Sequence, residues 1–242
     1  MAVYDLTDLQ QKIHRIVELN VDYPDSSDDE YTLRTGLLND HIDAWEKEEG
    51  VEWDSLWVLA SFTSSSAASY ALSGVSPAIT NMRYPGGFVD LVDSSGGSTY
   101  WEVIKPEEVR LRTNNATAWD YQYTNEQTRW CYFLGDPQAG FTLYFNPNFI
   151  PGTGTIKFPY YKKATRLADA GDKPQMSDPE FLVHSVASDV LAQEDPGEAD
   201  KHLQIAQSKL KSMKTQNMMA PHWQINRVQD RSGHLSGSGF GK

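Results

Sequence analysis

The sequence predicts an α+β fold: a helical bundle formed by the N- and C-terminal helices, an antiparallel β domain inserted into it, and an extended C-terminal arm. Apolar residues recur at three- and four-residue spacing near both ends of the chain, the mark of helices with one buried stripe. Between them the period drops to two, and residues 61–176 hold 19 of the 28 aromatic side chains, as strands packing a shared face require. The last 26 residues intersperse Gly and Ser with isolated apolar side chains, a composition with too little apolar surface to fold on itself. The expected boundaries are 1–57 and 177–216 for the two parts of the bundle, 58–176 for the β domain and 217–242 for the arm.

Each element has its own warrant. Thr7 is a candidate N-cap for a first helix whose apolar face is Leu9, Ile13, Ile16 and Val17. Tyr23-Pro24-Asp25 ends it, because proline restricts its predecessor and lacks an amide hydrogen. A second helix is expected from Ser27, with Ser27 and Glu30 as a capping box, a stripe of Tyr31, Leu38, Ile42 and Trp45, and a stop at Gly50. Strands follow from about Val58. Gly87–Val92 and Thr99–Ile104 alternate around the turn sequence 93–98 and predict a hairpin. Further strands are expected at Thr128–Leu134, Phe141–Phe145 and Thr155–Tyr161. Helix returns at Asp178-Pro179, with Phe181, Leu182, Val186, Val190 and Leu191 on its apolar face. Asp195-Pro196-Gly197 breaks it, and a last helix runs to about Gln216 on a stripe of Leu203, Ala206 and Leu210, with Lys209, Lys211 and Lys214 near its C-terminal dipole.

Charge excludes one class of function. The chain has 242 residues and a formal net charge of −12, from 21 basic and 33 acidic side chains. Residues 1–60 hold 4 basic and 15 acidic groups, residues 61–176 balance at 10 and 10, residues 177–216 net −3 and residues 217–242 net +2. A binder of nucleic-acid phosphates needs a basic surface, so sequence-independent DNA binding is disfavoured. No apolar run approaches the ~20 residues of a membrane span. The start MAVYDLTDLQ has neither basic nor apolar character, so no secretory signal is expected.

The chemical motifs are sparse. His14, His41, His184, His202, His222 and His234 match no metal-ligand spacing, so each reads as a surface or satisfied structural histidine and no metal or cofactor is expected. Residues 25–30 lack the alternation and glycine of a calcium loop. There is no Gly-x-Ser-x-Gly elbow. Cys131, the single cysteine, sits in a strand-like run and reads as core. Gly237–Lys242 fails the phosphate-loop spacing. The dense aromatic set Trp101, Trp119, Tyr121, Tyr123, Trp130 and Tyr132 is either sheet core or a platform for sugar or for a neighbouring subunit.

One constellation extends over roughly residues 5–216. A helix bearing Asp40-His-Ile-Asp-Ala-Trp45 is followed by Trp53-Asp-Ser-Leu56 and by an aromatic β insert with Trp101-Glu-Val-Ile-Lys-Pro106. The insert leaves through Ile156–Lys163, a loop spans Asp169 to Pro174, and Asp178-Pro-Glu-Phe181 opens a helix before a last one rich in Ala, Lys and Leu. In this order and these landmarks the chain resembles the head-to-tail adaptor proteins of tailed bacteriophages, the group that includes tail tubular protein A of short-tailed phages. The resemblance implies a structural virion protein rather than an enzyme, forming a ring (twelve-fold in the family) in the neck between portal and tail, after assembly in the host cytoplasm. It implies a portal protein and a tail or nozzle protein as partners, with genome DNA passing through unbound. On that reading Asp40, Asp43, Glu46, Glu48 and Glu49 are expected on the channel or a solvated rim. The arm is expected to reach the portal through Trp223, Ile225, Leu235 and Phe240, with Arg227 and Arg231 pairing to an acidic surface. The alternative from the aromatic residues is a carbohydrate-binding or adhesin module, and a third possibility is a hydrolase using scattered carboxylates.

Overall fold

A computed structural model describes residues 4–18, 23–112 and 129–219. In chain order the helices are α1 (Leu6–Val17), α2 (Asp29–Glu46), α3 (Pro106–Arg112), α4 (Glu180–Leu191) and α5 (Pro196–Met219). The strands are β1 (Trp57–Ser65), β2 (Ser69–Ala71), β3 (Met82–Pro85), β4 (Phe88–Val92), β5 (Ser98–Val103), β6 (Trp130–Asp136), β7 (Gly140–Phe145) and β8 (Thr153–Lys162). The chain divides into two units, Met1–Ser55 with Ala164–Lys242, and Leu56–Lys163.

In the first unit, helices from both ends of the chain pack on α4. That helix buries Phe181, Leu182, Val183, Val186, Ala187 and Leu191, and with Ser185 and Ser188 also covered it is enclosed almost all round, as a central helix must be. The N-cap of α1 is Asp5 rather than Thr7. The Asp5 carboxylate accepts from the Asp8 amide at 2.9 Å, and Asp8 returns a bond to the Asp5 amide at 3.3 Å. The cap residue of α2 is Asp28, not Ser27, and Asp28 turns its carboxylate back to the Asp25 amide at 2.7 Å. Leu38, Ile42 and Trp45 line the buried stripe as spaced, but Arg34 joins them, only 1% exposed. A buried guanidinium needs compensation. Glu30 and Glu18 supply it, and Arg34 Nη1 lies 3.2 Å from His14 Nδ1.

The stripe of α5 also differs from expectation. Ala199, Ala206 and Met213 are buried, whereas Leu203 is 44% exposed, so the helix is rotated from the Leu203–Ala206–Leu210 face. The two buried alanines allow α5 to lie close to α4, and the lysines on the same side find acids to pair with. Lys209 reaches Asp178 and Glu180, and Lys214 reaches Glu48. The helix continues through Met219, so residues 217–219, assigned to the arm from sequence, are helical.

The second unit overturns the expected fold class. Its dominant feature is a large curled mixed sheet of eight strands, not a small antiparallel β domain hung on a helical bundle. The order is β1-β8-β4-β5-β6-β7-β2, with β3 also on β8. The pair β5–β6 is parallel, with Glu102 opposite Trp130 and Val103 opposite Cys131. The cause is the connection. Parallel neighbours need a crossover of a dozen or more residues, and the connection 104–129, which includes α3, is long enough for one where antiparallel neighbours were expected. The short strands β2 and β3 and the helix α3 were not expected either.

The core of the sheet lies on one face, built from Phe62, Val89, Trp101, Phe133, Ile156 and Phe158 with Cys131 among them. The β4–β5 hairpin forms where its alternation places it, closed by Asp93, whose Oδ1 accepts from the Ser95 and Gly97 amides at 2.8 Å each. In the β6–β7 hairpin, Gly135 has φ +133°, and a Cβ there would stand 2.1 Å from the Gly140 carbonyl oxygen, so only glycine fits.

Candidate functional site

The five carboxylates expected on a channel or rim divide into two sets. Asp40 and Glu49 are exposed. The other three hold the first unit together. Asp43 pairs with Arg166 at 2.5 Å, Glu46 is buried and accepts from the Ala164 amide at 2.7 Å, and Glu48 pairs with Lys214. Sequence position alone hides this division, because each partner is more than 100 residues away. Exposed acid is plentiful elsewhere in the unit, at Asp25, Asp28, Asp29 and Glu30 around the start of α2. The arm residues Trp223, Ile225, Arg227, Arg231, Leu235 and Phe240 lie outside the described residues, as do Trp119, Tyr121 and Tyr123.

A polar cluster joins α1, α4 and α5. Glu180 accepts from Lys209 at 2.8 Å and lies 3.6 Å from Lys12, and the Tyr4 hydroxyl is 3.4 Å away. The Lys209 ammonium holds the Glu180 carboxyl below its usual range, and Glu180 in turn raises Lys209. Beside it, His184 and His202 stack with centroids 5.1 Å apart and Nδ1 atoms 2.9 Å apart. That contact requires one ring to donate and the other to accept, so both cannot be protonated. Burial, then the His202 charge, lowers the pKa of His184. Lys12, Arg15, Ile16, Glu180, Val183 and His184 line a shallow pocket of about 240 Å³. Its cations are already engaged: Lys12 with Glu180 and the Tyr4 ring, Arg15 Nε with the Tyr23 hydroxyl at 2.8 Å. Elsewhere His14 is buried against Arg34, and His41 meets Asp189 at 2.8 Å. Among the described residues no group of three or more His, Cys, Asp or Glu is placed to hold a metal ion.

The aromatic set splits by face. Trp101 belongs to the sheet core, its Nε1 donating to the Phe149 carbonyl at 2.9 Å. Trp130 is buried with Ile104 and Val109. Tyr132 remains half-buried and stacks on Tyr144, centroids 5.1 Å apart at 11°. Phe88 and Tyr100 form a second stacked pair at 6.3 Å. Both pairs stand on the face opposite the core, since each alternates with core residues along its strand. Burial pushes the Cys131 thiol well above its ordinary pKa, so it is an inert core residue.

Comparison with family models and with curated proteins finds no match to this chain. No helix among the described residues is long and apolar enough to cross a membrane.

Proposed function

We propose that the chain is a structural virion protein, a head-to-tail adaptor whose copies form a ring between the portal and the tail of a bacteriophage. Its work is geometric and electrostatic, without a catalytic step, and a portal protein and a tail or nozzle protein are its neighbours in the neck. The observation that carries the reading is the charge of the helical unit. Residues 1–60 hold 15 acidic groups against 4 basic ones, and Asp25, Asp28, Asp29, Asp40 and Glu49 keep their carboxylates exposed. A channel wall of that sign repels phosphates and lets DNA slide without gripping it. The order of landmarks also supports it, because those landmarks are joints of the fold. Trp45 stacks on Trp53 at 4.9 Å, Ile156–Lys163 covers the strand that pairs with β1, β3 and β4, and Asp178 accepts from the Glu180 amide where α4 begins.

The arm supplies the test. The Asn217 side chain donates to the Glu52 carbonyl at 2.7 Å and accepts from the Asp54 amide at 3.0 Å, so a truncation must spare it. A chain ending at Met219 is expected to keep the circular dichroism and melting curve of the full chain and to lose binding to the portal of its own virus. Unfolding of that truncation, or undiminished portal binding, overturns the arm reading.

The stacked pairs Tyr132–Tyr144 and Phe88–Tyr100 favour a second reading, a carbohydrate-binding module. It requires retention on immobilised polysaccharide that is lost on Tyr132→Ala and Tyr144→Ala. The adaptor reading predicts no retention.

A further inference from the structure

The sheet of the second unit curls until its first and last strands meet. Phe62 on β1 packs on Tyr70 of β2 with ring centroids 5.3 Å apart, and Ser64 Oγ lies 2.9 Å from the Tyr70 hydroxyl. Across the core, Phe133 on β6 meets Phe158 on β8 at 5.1 Å, although β4 and β5 stand between those strands in the sheet order. Side chains alternate between the faces of a strand, so strands whose inward side chains meet across a core direct their outward ones away from each other. The outer face of β1 and β8 and the outer face of β6 and β7 are therefore opposite sides of this unit.

Each of these faces carries an exposed apolar patch. On the first, Trp57 and Leu59 are 43% and 55% exposed, opposite Tyr161 and Pro159 on β8. On the second, Leu134 is 50% exposed beside the stacked Tyr132–Tyr144 pair, with Thr142 opposite it. Strands β1, β7 and β2 contain no charged residue, and β6 has one only at its end, Asp136. The outward positions bordering the patches are ordinary for a wet face: Lys157 on β8, Asp90 on β4 and Glu102 on β5. Exposed apolar patches rimmed by polar residues mark interaction surfaces. Charge indicates what they meet. Leu56–Lys163 holds 8 basic and 8 acidic side chains, so the whole net charge of −12 lies on the first unit.

We propose that these two patches are the contact between successive copies of this chain, Trp57 and Leu59 of one copy packing against Leu134 and the Tyr132–Tyr144 pair of the next. The inference rests on the ring reading above and names its subunit contact. Copies carrying −12 each repel wherever their acidic units meet, and they approach at least cost through the unit that carries no net charge. The contact removes Trp57, Leu59 and Leu134 from water, and Trp and Tyr are side chains that anchor such surfaces. Two unlike patches on opposite sides of one unit join copies head to tail, the arrangement that gives a ring when the rotation closes. A single foreign partner would need only one of them.

The experiment uses full-length chain assembled on its portal. Positions 59 and 134 point away from each other across the core of one copy, so a short bismaleimide joins them only between copies, and Cys131, the native thiol, is fully buried. Leu59→Cys with Leu134→Cys is expected to give a ladder of dimers, trimers and larger species, and each single variant none. Leu59→Glu and Leu134→Glu are each expected to lower ring yield at least tenfold while leaving the melting curve of the free subunit in place. Should either melt early, Ser61→Glu and Thr142→Glu, on the same two faces, are expected to give the same loss of rings. Dimers from Leu59→Cys alone mean that like patches meet and overturn the head-to-tail pairing. A link closed within one chain overturns the placement of the patches, and a link from position 59 to the portal overturns the choice of occupant. Rings formed normally by the glutamate variants, without a ladder from the double-cysteine chain, overturn the inference and leave the ring reading standing. If the unmodified chain forms no ring on its portal, both fail.

Discussion

Trp45 and Trp53 allow one chemical change to be made in two opposite settings. Both indoles are buried in the helical unit, 1% and 4% exposed, and stack at 4.9 Å with an interplanar angle of 26°. Trp53 Nε1 donates to the Trp45 carbonyl at 2.7 Å, whereas Trp45 Nε1 has no partner among the described residues. Replacing either by Phe removes roughly 45 Å² of buried ring, about 1 kcal/mol at ~25 cal/mol per Å². For Trp53→Phe the lost hydrogen bond adds about 1 kcal/mol, giving about 2 kcal/mol of destabilisation. For Trp45→Phe, removal of a buried unpaired donor returns about 1–3 kcal/mol, so the net effect is near zero or stabilising. Urea denaturation followed at 222 nm measures both. The expected difference is about 2–4 kcal/mol, with Trp53→Phe the weaker protein. A Trp45→Phe variant as destabilised as Trp53→Phe, or more so, refutes the assignment of an unpaired indole.

Further outcomes follow from the polar cluster and the exposed acids. The pKa of His184 is lowered in the folded state, so between that lowered value and the ordinary imidazole 6.5 the unfolded chain binds more protons. Stability is therefore held above pH 6.5 and lost as the pH falls through it; the melting temperature should drop between pH 7.5 and 5.5, and His184→Asn should flatten that drop. An unchanged slope in the variant removes the His184–His202 contact as its source. Glu180, whose pKa is lowered by Lys209, acts in a separate window, its stabilisation being lost as the pH falls below about 4.5, and Lys209→Met should reduce that acid-limb loss. Asp40→Lys with Glu49→Lys should slow DNA passage through assembled particles, measured as ejection rate, and unchanged ejection places both carboxylates away from the channel.

The local structure was more legible than the topology. The β4–β5 hairpin is written in its alternation and in Asp93, because both act over ten residues of neighbouring chain. The start of α5 is likewise written in Asp195-Pro196, with the Asp195 carbonyl and carboxylate accepting from the Ala199 and Glu198 amides. Topology depends on what lies far apart. The parallel pairing of β6 beside β5 and the eight-stranded curl follow from a long connection whose path no local pattern specifies. Caps failed for a related reason. Thr7, Ser27, Asp5 and Asp28 all have suitable side chains, and the choice fell to Asp5 through its reciprocal bond with Asp8 and to Asp28 through the turn at Asp25. The candidate site divided for the same reason, since Asp43, Glu46 and Glu48 are bound by Arg166, the Ala164 amide and Lys214, which no spacing in residues 40–49 announces.

The most direct test of the account is electron microscopy, with native mass measurement, of the full chain mixed with the portal of its own virus and with DNA. The account predicts a closed ring of identical copies seated on the portal, with an open central channel and no retention of DNA by the ring alone. A chain that stays monomeric beside the portal, or binds duplex DNA by itself, contradicts it.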